Sequence, residues 1–187
     1  TFHWGAGMWG LRHAGASAMQ GHALVAAMEG TPFAGRTVLH WYVRARTRSV
    51  GKALGRAPLE VSGNLRPVLQ ALRRKEQVMA AVDVPSDQVT ASVPVQIAGM
   101  AAQIPKALLR LAAEQKVPVT VYLTGIDMDT GQRTLRIVSL PVLEDVDALV
   151  AAVFIHLSEA IQEDSAAWHF WSEATRFFTE RLPRATQ

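Results

Sequence analysis

Three short apolar runs constrain this chain most: HALVAAM (His22–Met28), QVMAAV (Gln77–Val82) and VPVTVYL (Val117–Leu123). Runs this brief, bounded by turn residues, suit strands covered on both faces better than buried helices. Helical spacing fills the intervals. Gly30, Thr31 and Pro32 begin a helix over roughly 32–47, with Thr31 placed to cap it and Pro32 at its first position. Ser62 caps a second helix, 63–75, whose Leu65, Val68, Leu69 and Leu72 share one face. Phe2 and His3 end a strand that leads into a small-residue helix, Met8–Met19. Further strands are expected at Pro58–Val61 and at Val93–Ile97, the latter delivered to Gly99, and Pro105 opens a helix over 105–115. Thr134–Leu140 alternates and pairs with Val117–Leu123 through a turn at Asp129–Gly131. Two helices close the chain, 145–163 and an aromatic one over 166–181. Strands separated by helices predict an α/β fold: a mainly parallel sheet flanked by helices on both faces, with an aromatic C-terminal helix.

At 187 residues, 49% of them apolar and 19% charged, the chain suits one globular domain over 1–187 rather than disorder. It contains no cysteine, which excludes disulfides, thiolate nucleophiles and cysteine-ligated metals. Its first residue is Thr1, and the chain is expected to lack an N-terminal part, so that it would be either peripheral to a membrane or anchored to one by that part. No apolar run reaches the ~18 residues that span a bilayer; Val146–Leu157 is interrupted by Asp147 and His156. Charge is unevenly spread. From Arg36 to Lys75 the only acid is Glu60, among Arg36, Arg44, Arg46, Arg48, Lys52, Arg56 and further arginines. From Glu144 to Asp164 there are six acids and no Lys or Arg. The basic stretch is either a solvated face or a surface that meets anions: phospholipid head groups, an acidic carrier protein or nucleic acid. Nucleic acid is disfavoured, because no nucleic-acid-binding motif accompanies the charge.

Ligands of parallel sheets bind beyond the carboxyl ends of the strands. His3, Glu29 and Asp83 are expected to emerge there. The remaining histidines, His13, His22, His40, His156 and His169, have no metal-ligand spacing, so no metal site is expected. Trp4 and Trp9 read as core aromatics, Met8 as packing, and Asp83 as either a turn former or a functional carboxylate.

Several segments together resemble the lysophospholipid acyltransferase superfamily, in its branch of bacterial lipid A acyltransferases. The opening FHWGAGMW (Phe2–Trp9) is similar to that branch's strand-end His-x-Gly-Asn-Trp-Glu segment. NLRPVLQALRRKEQVMAAVD (Asn64–Asp83) resembles its helix of leucines and arginines followed by a strand ending in Asp. VPVQIAGMAAQIPKALLRLAAEQKVPVTVYL (Val93–Leu123) resembles its apolar strand, Gly turn, helix and Pro-Val strand. WHFWSEATRFF (Trp168–Phe178) is like its closing Trp-x-x-x-x-Arg segment.

The resemblance implies an acyltransferase-like fold and transfer of a fatty or related acyl group to a hydroxyl or amine of a lipid-type acceptor. The donor would be an acyl carrier protein or coenzyme A thioester, with no other cofactor. His3 would be the general base. Gly5 and Gly7, at the turn into a helix, would leave N–H groups facing the developing oxyanion, beside Met8 and Gly99. Arg36 and Arg44 would meet the phosphate-bearing partner. The setting implied is the cytoplasmic face of the inner membrane, against its lipid surface. One departure matters: Met8 stands where the family has the acid that orients the histidine. Asp83, then Glu29, are the candidates for that role. The alternative is a degenerate relative that binds acyl carrier or lipid without turnover. The aromatic closing segment is expected either to pack on the sheet or to settle into the lipid interface.

Overall fold

The computed structural model describes residues 21–26, 35–61, 64–85 and 91–179. Those through Ala81 group into one compact unit and those from Val82 into another.

The first unit is a parallel βαβαβ array. Strand β1 (Gly21–Ala26), helix α1 (Thr37–Leu54), strand β2 (Leu59–Val61), helix α2 (Arg66–Arg73) and strand β3 (Gln77–Met79) follow in turn. β1 lies between the other two, with Leu24 opposite Leu59 and His22 opposite Val78. α1 runs well past the predicted end at 47. Val50, Gly51 and Leu54 turn inward at its C-terminal end, and Gly55 closes it in the left-handed conformation at φ 72°. Burial thus overrides the weak helix propensity of the stretch Thr47–Gly51. Gly51 is needed for a close approach: a β-carbon there would stand 2.8 Å from Pro58 Cδ. α2 buries Val68 and Ala71, and the Asn64 side chain accepts the Arg66 N–H at 2.9 Å. Ser62, the predicted cap, lies outside the described residues, as do Phe2–His3, Met8–Met19 and Gly30–Pro32.

The second unit departs from the predicted parallel sheet. It holds two antiparallel hairpins, β4 (Ser92–Ile97) with β5 (Met100–Pro105) and β6 (Thr120–Ile126) with β7 (Arg133–Ser139). Helix α3 (Ala107–Glu114) joins the hairpins and α4 (Val146–Glu163) follows. The α/β class stands, but among the described residues the sheets are small and mixed, and only the three-stranded one is parallel. β5 is a strand the sequence does not announce, because Met100–Ile104 is alanine-rich and alanine is depleted in strands. Its pairing follows from the turn: Ala98 (φ 51°) and Gly99 (φ 82°) both take positive φ, the pattern that reverses a chain in two residues. Pro105 therefore ends a strand rather than opening a helix.

Asp145 caps α4 by accepting the Ala148 N–H at 2.7 Å. The helix buries Leu149, Val153, Phe154, Leu157 and Ile161 against Ile97 and Ile104 of the first hairpin and Leu109 of α3. Over its described residues, 166–179, the predicted C-terminal helix does not form. Residues 165–167 and 171–176 form two 3₁₀ turns, and Phe178 then bridges to Ala102 of β5. Trp168, Phe177 and Phe178 all enter the core, where Trp168 packs edge-to-face on both phenyl rings and holds the segment in this shape.

Candidate functional site

Of the residues singled out from the sequence, Asp83, Arg36, Arg44 and Gly99 are described. His3, Gly5, Gly7, Met8 and Glu29 lie outside the described residues.

Asp83 lies beyond the end of β3 at Met79 and belongs to the second unit. With His22 and Thr124 it is a buried polar side chain among the described residues, 4% exposed. Its Oδ2 accepts the indole N–H of Trp168 at 3.1 Å, and Trp168 is itself 2% exposed. A buried carboxylate is costly unless it is hydrogen-bonded, so this contact fixes both groups. Edge-to-face packing on Trp171 (centroids 4.9 Å apart) and Phe177 (5.4 Å) holds the indole in turn. The sequence marks both ends of this pair, but not that they meet.

Gly99 sits exposed at the tip of the β4–β5 hairpin, with nothing within 4 Å of where a β-carbon would be. Its place is a hairpin turn, not the start of a helix. The hairpin is tied down by Ser158 of α4, whose hydroxyl donates to the Gln96 carbonyl at 3.0 Å and accepts the Ala98 N–H at 3.3 Å.

Arg36 and Arg44 share α1. Arg36 is its N-cap residue, and both are exposed. With Gly35, Val38, Leu39, Trp41 and Tyr42, Arg36 lines a shallow open groove over the first turns of the helix. Trp41 is 70% exposed. This aromatic surface was not anticipated. Its signal in the sequence is the register: counting from the buried Val50 and Leu54, Val38 and Trp41 fall on the opposite side of the helix.

A second polar cluster ties the first unit together. His22 Nδ1 donates to the Ala57 carbonyl at 2.7 Å, and Nε2 stands 3.3 Å from Glu76 Oε2. Arg74 donates twice to Oε2, at 2.7 and 2.9 Å, and Arg56 to Oε1 at 3.0 Å. The Arg74 guanidinium, above all, holds the Glu76 carboxyl below its ordinary value. His22 therefore has a structural place, joining β1 to the segments before β2 and β3.

The topology adds one constraint. Strand order β2–β1–β3 puts the switch point of the parallel sheet between β1 and β3, where ligands of open α/β sheets bind. Among the described residues, no three His, Asp or Glu side chains converge as a metal site would need, and no helix is long and apolar enough to cross a membrane. No protein-family model matches this chain, and no curated protein matches it.

Proposed function

We propose that this chain is an acyltransferase-like protein. It would move an acyl group from an acyl carrier protein or coenzyme A thioester to a hydroxyl or amine of a lipid-type acceptor at a membrane surface. The observation that carries the reading is the Asp83–Trp168 hydrogen bond. It joins the ends of two segments, Asn64–Asp83 and Trp168–Phe178, that separately resemble the same family and lie far apart in the chain. The parallel βαβαβ unit and the anion-attracting face of α1 support the reading in addition.

In this scheme His3 removes the proton of the acceptor hydroxyl, whose oxygen attacks the thioester carbonyl. The acceptor ester forms, and the carrier thiol leaves with a proton. Asp83 is the carboxylate proposed to orient the imidazole in place of the acid missing at Met8. Gly5 and Gly7 would leave backbone N–H groups for the oxyanion.

The test is acyl transfer from acyl-carrier and coenzyme A thioesters. His3→Ala is expected to lower the rate by about 10²–10⁴-fold, the usual worth of a general base. Parental turnover in that variant defeats the mechanism. Met8 favours a second reading, a binding protein whose catalytic pair has decayed. Donor binding without turnover, together with a large gain of rate in Met8→Glu, would establish that one instead.

A further inference from the structure

We infer that the outward face of α1 is a docking surface for an anionic lipid bilayer. The inference deepens the membrane-surface part of the reading above and does not depend on acyl transfer. α1 is anchored at its C-terminal end by Val50, Gly51 and Leu54, which leaves the opposite side of the helix facing outward. On that face Val38 and Trp41 stand about one turn apart, 79% and 70% exposed, and Tyr42, one turn on from Val38, lies at its edge and is 51% exposed. Arg44, Arg48 and Lys52 follow at four-residue steps and are exposed as well. No acid occurs anywhere in Thr37–Leu54, so the field of this face has one sign.

The mixture identifies the occupant. Tryptophan and tyrosine settle at the boundary between hydrocarbon and water, while arginine and lysine reach phosphates from the same depth. A bilayer interface offers both media side by side. An acidic protein surface would satisfy the cations but leave Val38 and Trp41 in water, and a neutral apolar groove would do the reverse. Of the two settings expected for the aromatic closing segment, the core takes Trp168, Phe177 and Phe178 and leaves Trp171 37% exposed, whereas Trp41 and Tyr42 of α1 are 70% and 51% exposed on a helix of cations.

The experiment is sedimentation of the full chain with vesicles of phosphatidylcholine alone and of phosphatidylcholine mixed with phosphatidylglycerol, without acyl donor. The chain is expected to bind the mixed vesicles and to release as salt rises. Replacing Arg44, Arg48 and Lys52 together by Gln should weaken binding about fivefold per cation, roughly a hundredfold in all. Trp41→Ser with Tyr42→Ser should weaken it about tenfold or more at unchanged charge. All these side chains are exposed, so circular dichroism should report an unchanged fold. Three results would overturn the inference: no binding, equal binding to both vesicle types, or parental binding by either variant. A protein that binds vesicles but transfers no acyl group loses the enzymatic reading and keeps this one. Transfer to a soluble acceptor without vesicle binding does the opposite.

Discussion

Asp83 and Trp168 depend on each other. The carboxylate is buried and its Oδ2 receives the indole N–H, so removing the donor leaves a buried acceptor atom with one partner fewer. Trp168→Phe is expected to destabilise the protein by about 1–3 kcal/mol for that loss, with more from the missing ring volume, as read by urea denaturation. Unaltered stability would mean that the contact is incidental. The sequence makes each member legible on its own: Asp83 as a polar residue closing an apolar run, Trp168 as the head of an aromatic segment. Their pairing is not legible, because nothing local in a chain encodes a contact between residues so distant in sequence. Gly99 teaches the reverse lesson. It is recognisable as a turn residue, but whether a strand or a helix follows depends on its neighbour Ala98, which takes a positive φ that alanine rarely adopts.

Among the elements, α1 is the clearest case of burial deciding length. The helix continues over Ser49–Leu54 because Val50 and Leu54 find a core with Ala23 of β1, and it stops where Gly55 turns left-handed. Gly51 within it looks like a place where alanine would help, since alanine exceeds glycine in helix propensity by about 1 kcal/mol. Here the opposite is expected. The new methyl would meet Pro58 Cδ at 2.8 Å and the Arg56 carbonyl at 3.1 Å, neither of which is the free end of a flexible side chain. Gly51→Ala should therefore lower the melting temperature, and a rise would show that the segment Arg56–Pro58 yields. The strands β1, β2, β6 and β7 and the helices α2, α3 and α4 are largely legible from periodicity, since each carries its pattern within one segment. β5 and the 3₁₀ turns around Trp168 are not, because their conformations are imposed by partners: β4 for the first, the aromatic core for the second.

At the scale of the molecule, Glu76, Asp127 and Tyr122 are groups among the described residues that make stability depend on pH. Glu76, held by Arg74, and Asp127, held by the hydrogen bonds of Thr130 and then by the Asp129 N–H, titrate below their ordinary values of 4.5 and 3.8. A carboxyl whose folded value is depressed stabilises the fold fully above its unfolded value and loses that contribution as pH falls. Tyr122 lies the other way: burial raises its phenol from 10.0 to about 12. Its contribution is complete below the unfolded value and disappears as pH rises through the folded one. Stability measured by denaturation should thus stay level with respect to these groups between about 4.5 and 10.0 and fall on either side. In a Tyr42→Phe background, ultraviolet titration should show the remaining phenol ionising near 12, and ionisation near 10.0 would mean that Tyr122 is open to water. The amino-acid sequence by itself determined the α/β class, the parallel βαβαβ order and the basic bias from Arg36 to Lys75, because periodicity and charge are properties of contiguous residues. The tertiary structure alone decided that the second unit pairs its strands antiparallel, that Asp83 meets Trp168, and that Trp41 faces outward while Trp168 faces in. Those outcomes depend on which distant surfaces compete to exclude water, and that competition exists only once the chain has folded.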